Sequence, residues 1–257
     1  MDLEPRRDSR VALGSRACAL SIVVPVHDEE DSLEPLHREL DAALASVPGG
    51  IEMIFVDDGS RDTSLRVLRD LARKDPRVRV VALGTHRGQS AALDAGFRAS
   101  SAAVIATLDA DLQNDPRDIL RLLPYLEHAD VVNGVRRQRR DSLVRVLASR
   151  IANRLRNWVT GESVSDVGCS LRVMRRRYLR RVKLYQGMHR FLPTLLRLEG
   201  ARVVEVDVRH RPRRFGRSKY GIFDRLGEGL VDLFAVFWMQ RRALRKRRRA
   251  QINRRRA

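Results

Sequence analysis

From residue 20 to about residue 133, short apolar runs rich in β-branched residues alternate with longer stretches of helical period. The runs are 20–25 (LSIVVP), 51–56 (IEMIFV), 78–83 (VRVVAL), 103–108 (AVIATL) and 129–133 (ADVVN). Between them, residues 32–46, 63–74, 89–100 and 116–126 read as helices. Near-continuous apolar strands separated by helices predict a mostly parallel sheet covered on both faces, built from right-handed βαβ units. The fold class expected is therefore α/β. In such open sheets ligands bind beyond the carboxyl ends of the strands.

Past residue 136 the alternation weakens. Residues 142–159 and 188–199 read as helices, and 170–174 and 202–208 as short strands, extending the same domain. Residues 223–239 (FDRLGEGLVDLFAVFWM) space Leu226, Leu230, Leu233, Phe234, Phe237 and Trp238 at steps of three and four, one apolar stripe on a helix. That stripe either packs on the domain or lies on a membrane surface. The organisation expected is a polar leader (1–19), a main domain (20–222), an amphipathic helix (223–239) and a basic tail (240–257).

Composition and charge sharpen this picture. With 43% hydrophobic residues in 257, the chain has material for a sizeable core, which excludes wholesale disorder. The net charge of +19 is uneven, since residues 240–257 hold nine Arg, one Lys and no acid, leaving +9 for the rest. Such a tail is either a solvated extension or an anchor for polyanions, namely anionic lipid or nucleic acid. Against a dedicated nucleic-acid binder, aromatic residues are only 5% and no helix-turn-helix, zinc or RNP pattern occurs, so only a sequence-blind contact through the tail is expected. Two cysteines, Cys18 and Cys169, make no disulfide framework and fit a reducing compartment. The late apolar run 233–239 is far short of the ~20 residues of a membrane span. No apolar stretch precedes Ala17. A soluble or peripheral intracellular protein is expected.

Candidate chemistry gathers where the sheet rule puts it. Pro25-Val26-His27-Asp28-Glu29-Glu30 follows the first run, Asp57-Asp58-Gly59-Ser60 the second, and Asp109-Ala110-Asp111-Leu112-Gln113 the fourth. Three acidic clusters at parallel strand ends converge in one crevice and repel unless something positive offsets them. Asp109 and Asp111, one residue apart, project to one side of an extended segment. Two hard oxygen ligands with open positions suit Mg²⁺ or Mn²⁺ carrying a diphosphate. Asp58 is placed to accept from a base or ribose, although Asp-Gly-Ser is also ordinary turn and cap chemistry. His86-Arg87-Gly88-Gln89 reads either as a plain loop or as part of the crevice. Neither GxGxxG nor GxxxxGK[ST] is present.

The runs SIVVPVHDEEDSL, IFVDDGSRDTS, HRGQSAALDAGFRAS, VIATLDADLQNDP and VVNGVRRQR, in this order, resemble a family 2 glycosyltransferase. Within that family the likeness is to the polyprenyl-phosphate branch, the dolichol-phosphate mannose synthase-like enzymes. SDVGCSLRVMRR and HRPRRFGRSKYG extend it to about residue 240. The resemblance implies a GT-A fold, a Rossmann-like sheet with the nucleotide-sugar at its carboxyl edge. It implies that Pro25, His27, Glu29, Val56 and Asp58 contact the nucleoside, His27 standing where the family has Tyr. It implies that Asp109 and Asp111, with Ala110 and Gln113 beside them, hold metal and diphosphate, Gln113 being taken as a third metal ligand. Arg136 and Lys219 match phosphate-contacting cations, and Asp166 an acid with a catalytic or acceptor-positioning role. The HRGQ segment is one residue shorter than the family's Arg-Asn-x-Gly-Gln.

The activity so implied is inverting, metal-dependent transfer of a hexose from a GDP- or UDP-sugar to a polyprenyl phosphate, with Asp111, Asp166 and Arg136 as the catalytic set. Arg211, Arg213, Arg214 and Arg217 either draw in the lipid phosphate or form a solvated basic loop. The alternative acceptor is a saccharide or glycolipid hydroxyl, which needs a real base. Members of this branch often continue into transmembrane helices. Here the amphipathic helix and arginine tail are expected to hold the enzyme on the cytoplasmic face of a membrane, or on a separate membrane protein.

Overall fold

The computed structural model describes residues 18–136, 165–166, 168–212 and 224–243, the side chains of the last segment from residue 231. The helix expected at 142–159, the leader up to residue 17, and Arg213, Arg214, Arg217 and Lys219 lie outside the described residues.

Among the described residues, seven strands form one sheet: β1 (Leu20–Val26), β2 (Ile51–Asp57), β3 (Val78–Ala82), β4 (Val104–Thr107), β5 (Val131–Val135), β6 (Arg172–Arg175) and β7 (Val203–Asp207), in the order β3-β2-β1-β4-β6-β5-β7. The pairs β1–β2, β1–β4, β2–β3 and β5–β7 are parallel. β6 is antiparallel to both its neighbours, β4 and β5. The mostly parallel sheet is thus as expected, with one reversed strand that the apolar pattern did not reveal.

Among the described residues the helices are α1 (Glu30–Leu44), α2 (Ser64–Lys74), α3 (Gln89–Ala99), α4 (Arg117–Leu122), α5 (Arg176–Leu179), α6 (Leu192–Leu198) and α7 (Asp224–Arg242). Two 3₁₀ turns, Leu123–Glu127 and Met188–Phe191, stand where single helices were expected to continue. Alternation along the strands divides the core. Ile22, Val24, Met53 and Phe55 pack with Leu33, Leu36 and Leu40 of α1 and Leu68 of α2. Val23, Ile54 and Val56 pack with Ala92, Leu93 and Phe97 of α3 and with α6. Each fully buried Leu or Phe contributes about 1.5–3 kcal/mol, so this two-faced burial dominates the stability of the sheet. At Gly96 α3 comes so close to β1 that a Cβ would lie 2.3 Å from Val23 Cγ1.

α7 docks through Leu233 and Val236 onto Met188, Phe191 and Leu195. Of the stripe expected to be one face, Leu233 is buried, but Phe234 and Trp238 point outward, 66% and 62% exposed. The helix runs to Arg242, three residues into the stretch read as tail. Among the described residues no helix is long and apolar enough to cross a membrane.

Candidate active site

The carboxyl ends of β1, β2 and β4 lie side by side, because β1 is flanked by β2 and β4 in parallel. The three acidic clusters that follow these strands therefore share one edge. Two of the connecting loops turn through left-handed backbone at non-glycine residues, Asp28 (φ 48°) and Leu112 (φ 61°). For a bulky residue such as Leu112 this conformation is uncommon, and it recurs at functional loops. Across that turn Asp111 Oδ1 accepts the Gln113 N–H at 3.2 Å.

At the β2 end, Asp58 is 2% exposed. Its carboxylate accepts the backbone N–H of Arg87 at 2.7 Å and of Gly88 at 2.8 Å, and lies 2.9 Å from His86 Nδ1. The HRGQ loop is thus wrapped around this acid rather than standing apart from the crevice. Close approach is built in, since a Cβ on Gly59 (φ 67°) would lie 2.5 Å from His86 N. The wrap stacks His86 on His27, with ring centroids 4.2 Å apart, and His27 Nδ1 is 2.9 Å from the Asp58 carbonyl oxygen. Neighbouring Asp57 is buried, and its Oδ1 has no hydrogen-bond partner. Pro25, His27 and Glu29 are half-buried at the β1 end, where the Glu29 N–H donates to Ser64 Oγ. Val56 is fully buried and faces α3, so its side chain belongs to the core.

At the β4 end, Asp109 accepts from Gln89 Nε2 at 2.8 Å and from the Ser170 hydroxyl. Burial first, and the charge of Asp111 second, push the Asp109 carboxyl up to about 6, against the pull of Arg136 and Arg172. Asp111 is 5% exposed and Ala110 3%. The Gln113 side chain reaches the later basic segment, its Nε2 lying 3.4 Å from the Arg211 carbonyl oxygen and 3.5 Å from His210 Nε2. Asn114 bridges to His210, closing that segment onto the Asp-x-Asp loop. Arg211 itself pairs with Glu39 and with Asp115, so it anchors the segment instead of reaching outward for an anion. Among the described residues no group of three or more His, Cys, Asp or Glu is arranged to hold a metal ion.

Arg136 follows β5 and grips Asp166 with both sides of its fork, Nε to Oδ2 at 2.7 Å and Nη2 to Oδ1 at 3.0 Å. The Arg136 backbone N–H adds a third bond to the same acid. This pairing outweighs burial and raises the pKa of Arg136. Behind it, buried Arg172 donates to Asn133 Oδ1 and to the His189 carbonyl oxygen. Of the two readings open for the HRGQ loop, the structure supports membership of the crevice, through His86 and Gln89. The sequence reading missed Ser170, Arg172 and His210 as members of this constellation.

A family model described as glycosyl transferase family 2 matches residues 21–183, well over half of the chain. The chain belongs to this family. A dodecaprenyl-phosphate galacturonate synthase from Rhizobium johnstonii is 40% identical over 228 residues, 86% of this chain and 67% of that protein. An undecaprenyl-phosphate 4-deoxy-4-formamido-L-arabinose transferase from Klebsiella pneumoniae subsp. pneumoniae is 41% identical over 216 residues, 83% and 66%. This member of the family spans about two thirds of the length of these relatives. Its fold is shared with a glucosyl-3-phosphoglycerate synthase from Mycobacterium tuberculosis, solved with Mn²⁺, uridine diphosphate and phosphoglyceric acid. The TM-score is 0.63 at 20% identity, over 87% of this chain and 78% of that one. A mannosyltransferase from Pyrobaculum calidifontis, solved with GDP-Man and Mn²⁺, gives 0.62 at 19% identity, over 89% and 67%. The expected GT-A architecture is thereby confirmed.

Proposed function

We propose that this family 2 glycosyltransferase moves a hexose or hexose derivative from a nucleoside diphosphate to a polyprenyl phosphate, inverting the anomeric centre and using Mg²⁺ or Mn²⁺. The names of its relatives at about 40% identity support the polyprenyl phosphate acceptor. The observation that carries the reading is the Asp166–Arg136 pair. A hydroxyl acceptor has to lose its proton to a base. Both Asp166 oxygens are engaged by a guanidinium, which suits a positioning residue and not a base. A polyprenyl phosphate is already an anion and needs no such base.

The donor set fits the metal. Asp109, Asp111 and the Gln113 amide oxygen are hard ligands, and a cation there offsets the burial and the Asp111 repulsion that push Asp109 up. When bound, the metal neutralises charge on the diphosphate. The chain's own residues do the rest. Arg136, its fork fixed by Asp166, holds a cation ready for the charge that develops on the leaving oxygens. Pro25, His27 and Glu29 bind the nucleoside beside the His27–His86 stack, and Asp58 holds the 86–88 loop that forms one side of it. Val56 and Ala110 form the backing of that site. Arg213 and Lys219 add cations to the phosphates.

Attachment to the cytoplasmic face of a membrane, directly or through a separate membrane protein, belongs to the same reading. Val231, Phe234 and Trp238, spaced three and four apart on α7, are 69%, 66% and 62% exposed. Arg241 and Arg242 and the basic residues up to 257 follow them. Exposed aromatics followed by a basic cluster suit an anionic lipid surface.

The test is to incubate the full chain with Mn²⁺ or Mg²⁺, polyprenyl phosphate and a panel of radiolabelled UDP- and GDP-hexoses and hexuronic acids, counting label in the organic phase. Transfer from one donor is expected. Label appearing only on an added saccharide acceptor overturns the acceptor assignment. In a parallel arm, Phe234→Ser with Trp238→Ser should lower partition onto anionic vesicles, and unchanged partition removes direct membrane attachment through α7.

A further inference from the structure

We propose that an arginine-lined cavity at the amino edge of the sheet binds a phosphate-type dianion between Arg176 and Arg180. The cavity, about 360 Å³, is lined by Ser101, Ala103, Arg175, Arg176, Arg177 and Arg180. Ala103 immediately precedes β4 and Asp109 follows it, so this cavity and the acid cluster lie at opposite edges of the sheet.

Charge in the cavity is not balanced. Asp130 takes Arg177 Nη2 at 2.7 Å and lies 3.8 Å from Arg175 Nε. Glu52, whose charge acts on Arg176, is already engaged by Ser21, Ser101 and Arg79. Arg176 donates Nη1 to the Ser101 carbonyl oxygen at 2.9 Å, while its buried Nε has no hydrogen-bond partner. Arg180 is exposed and makes no ion pair among the described residues. Burial and the neighbouring Arg180 charge pull the pKa of Arg176 down, as expected for two guanidinium groups that repel.

The backing is rigid. The Arg176 backbone N–H donates to the Ala103 carbonyl oxygen, and Arg175 Nη2 donates to that of Leu126 at 2.7 Å. A guanidinium offers paired donors that match two oxygens of one tetrahedral anion. A dianion between the Arg176 and Arg180 guanidinium groups removes their repulsion. Soluble phosphate or diphosphate and the headgroup of an acidic phospholipid share this chemistry.

Arginine modification by phenylglyoxal, followed by peptide mass on the full chain, tests this at single residues. Inorganic phosphate at constant ionic strength should slow modification of Arg180 and Arg176 by about tenfold, leaving exposed Arg66 and Arg69 of α2 unaffected. Protection by phosphatidic acid vesicles, but not by soluble phosphate or neutral vesicles, assigns the site to a lipid headgroup. Absence of protection in every arm, or equal protection of Arg66 and Arg69, overturns the proposal. Arg176 also holds Ser101, so the variant that follows is Arg180→Gln, whose arginine makes no ion pair among the described residues. It should abolish the protection of Arg176, and persistence of that protection counts against a site shared by the two arginines.

Discussion

Two acidic loop clusters share the carboxyl edge of the sheet and have opposite fates. At the end of β2, Asp58 accepts two backbone N–H groups and faces an imidazole, so its charge is spent on holding the 86–88 loop. At the end of β4, Asp109 has a side-chain amide and a hydroxyl for partners, and the Asp111 charge beside it. The first carboxylate is satisfied by the fold. The second is destabilised by it, which is the condition of a group kept for a cation or a ligand.

The sharpest way to break that comparison is to neutralise each side. Asp111→Asn should lower sugar transfer by about 10²- to 10³-fold, because the diphosphate loses its counter-charge. Its melting temperature without metal should not fall, since the change removes a repulsion with Asp109. Rates and melting curves on one preparation check both halves. A large loss of stability would mean that the β4 acids, like Asp58, serve the fold.

The two clusters also differ in how far the sequence discloses them. Strand and helix positions from β1 to α4 follow from period and β-branching, which depend on local residues alone. The direction of β6 does not, because a four-residue strand reads the same either way and its orientation is fixed by pairing with β4 and β5. The acids were visible because they directly follow strands. Their partners were not, because Gln89 reaches Asp109 across 20 residues and Arg211 reaches Glu39 across 172. A basic segment in sequence gives no sign of which arginine is anchored. The outward turn of Phe234 and Trp238 was likewise hidden, since a stripe of apolar residues does not say which part of it a neighbour covers.

A third carboxylate sharpens the distinction between satisfied and strained acids. Glu52 is buried, which by itself raises its pKa, but hydrogen bonds from Ser21 and Ser101, with Arg79, outweigh burial and hold it near 2. A depressed folded-state pKa contributes stability that is present above the unfolded value of 4.5 and is lost as pH falls toward 2. The contribution is about 3 kcal/mol at most. Denaturant midpoints measured between those pH values should fall for the natural chain. Glu52→Gln should be less stable at neutral pH and flatter across the window. An unchanged slope in the variant would assign the acid sensitivity to other carboxylates.

The smallest effect is expected at Asp58 itself. Asn in its place keeps the size but offers one acceptor oxygen where the loop presents two N–H donors, so one buried backbone donor goes unmatched. Such a loss costs about 1–3 kcal/mol, and in a chain of this size each kcal/mol lowers the melting temperature by about 2–4 °C. The His27–His86 stack should loosen with the loop, so the KM for the nucleotide-sugar should rise more than kcat falls. Transfer measured well below the melting point should remain far closer to that of the natural chain than transfer by Asp111→Asn. If Asp58→Asn instead abolished kcat at full stability, the two acids would be doing the same chemistry, and the division between a structural and a reactive carboxylate on this edge would be lost.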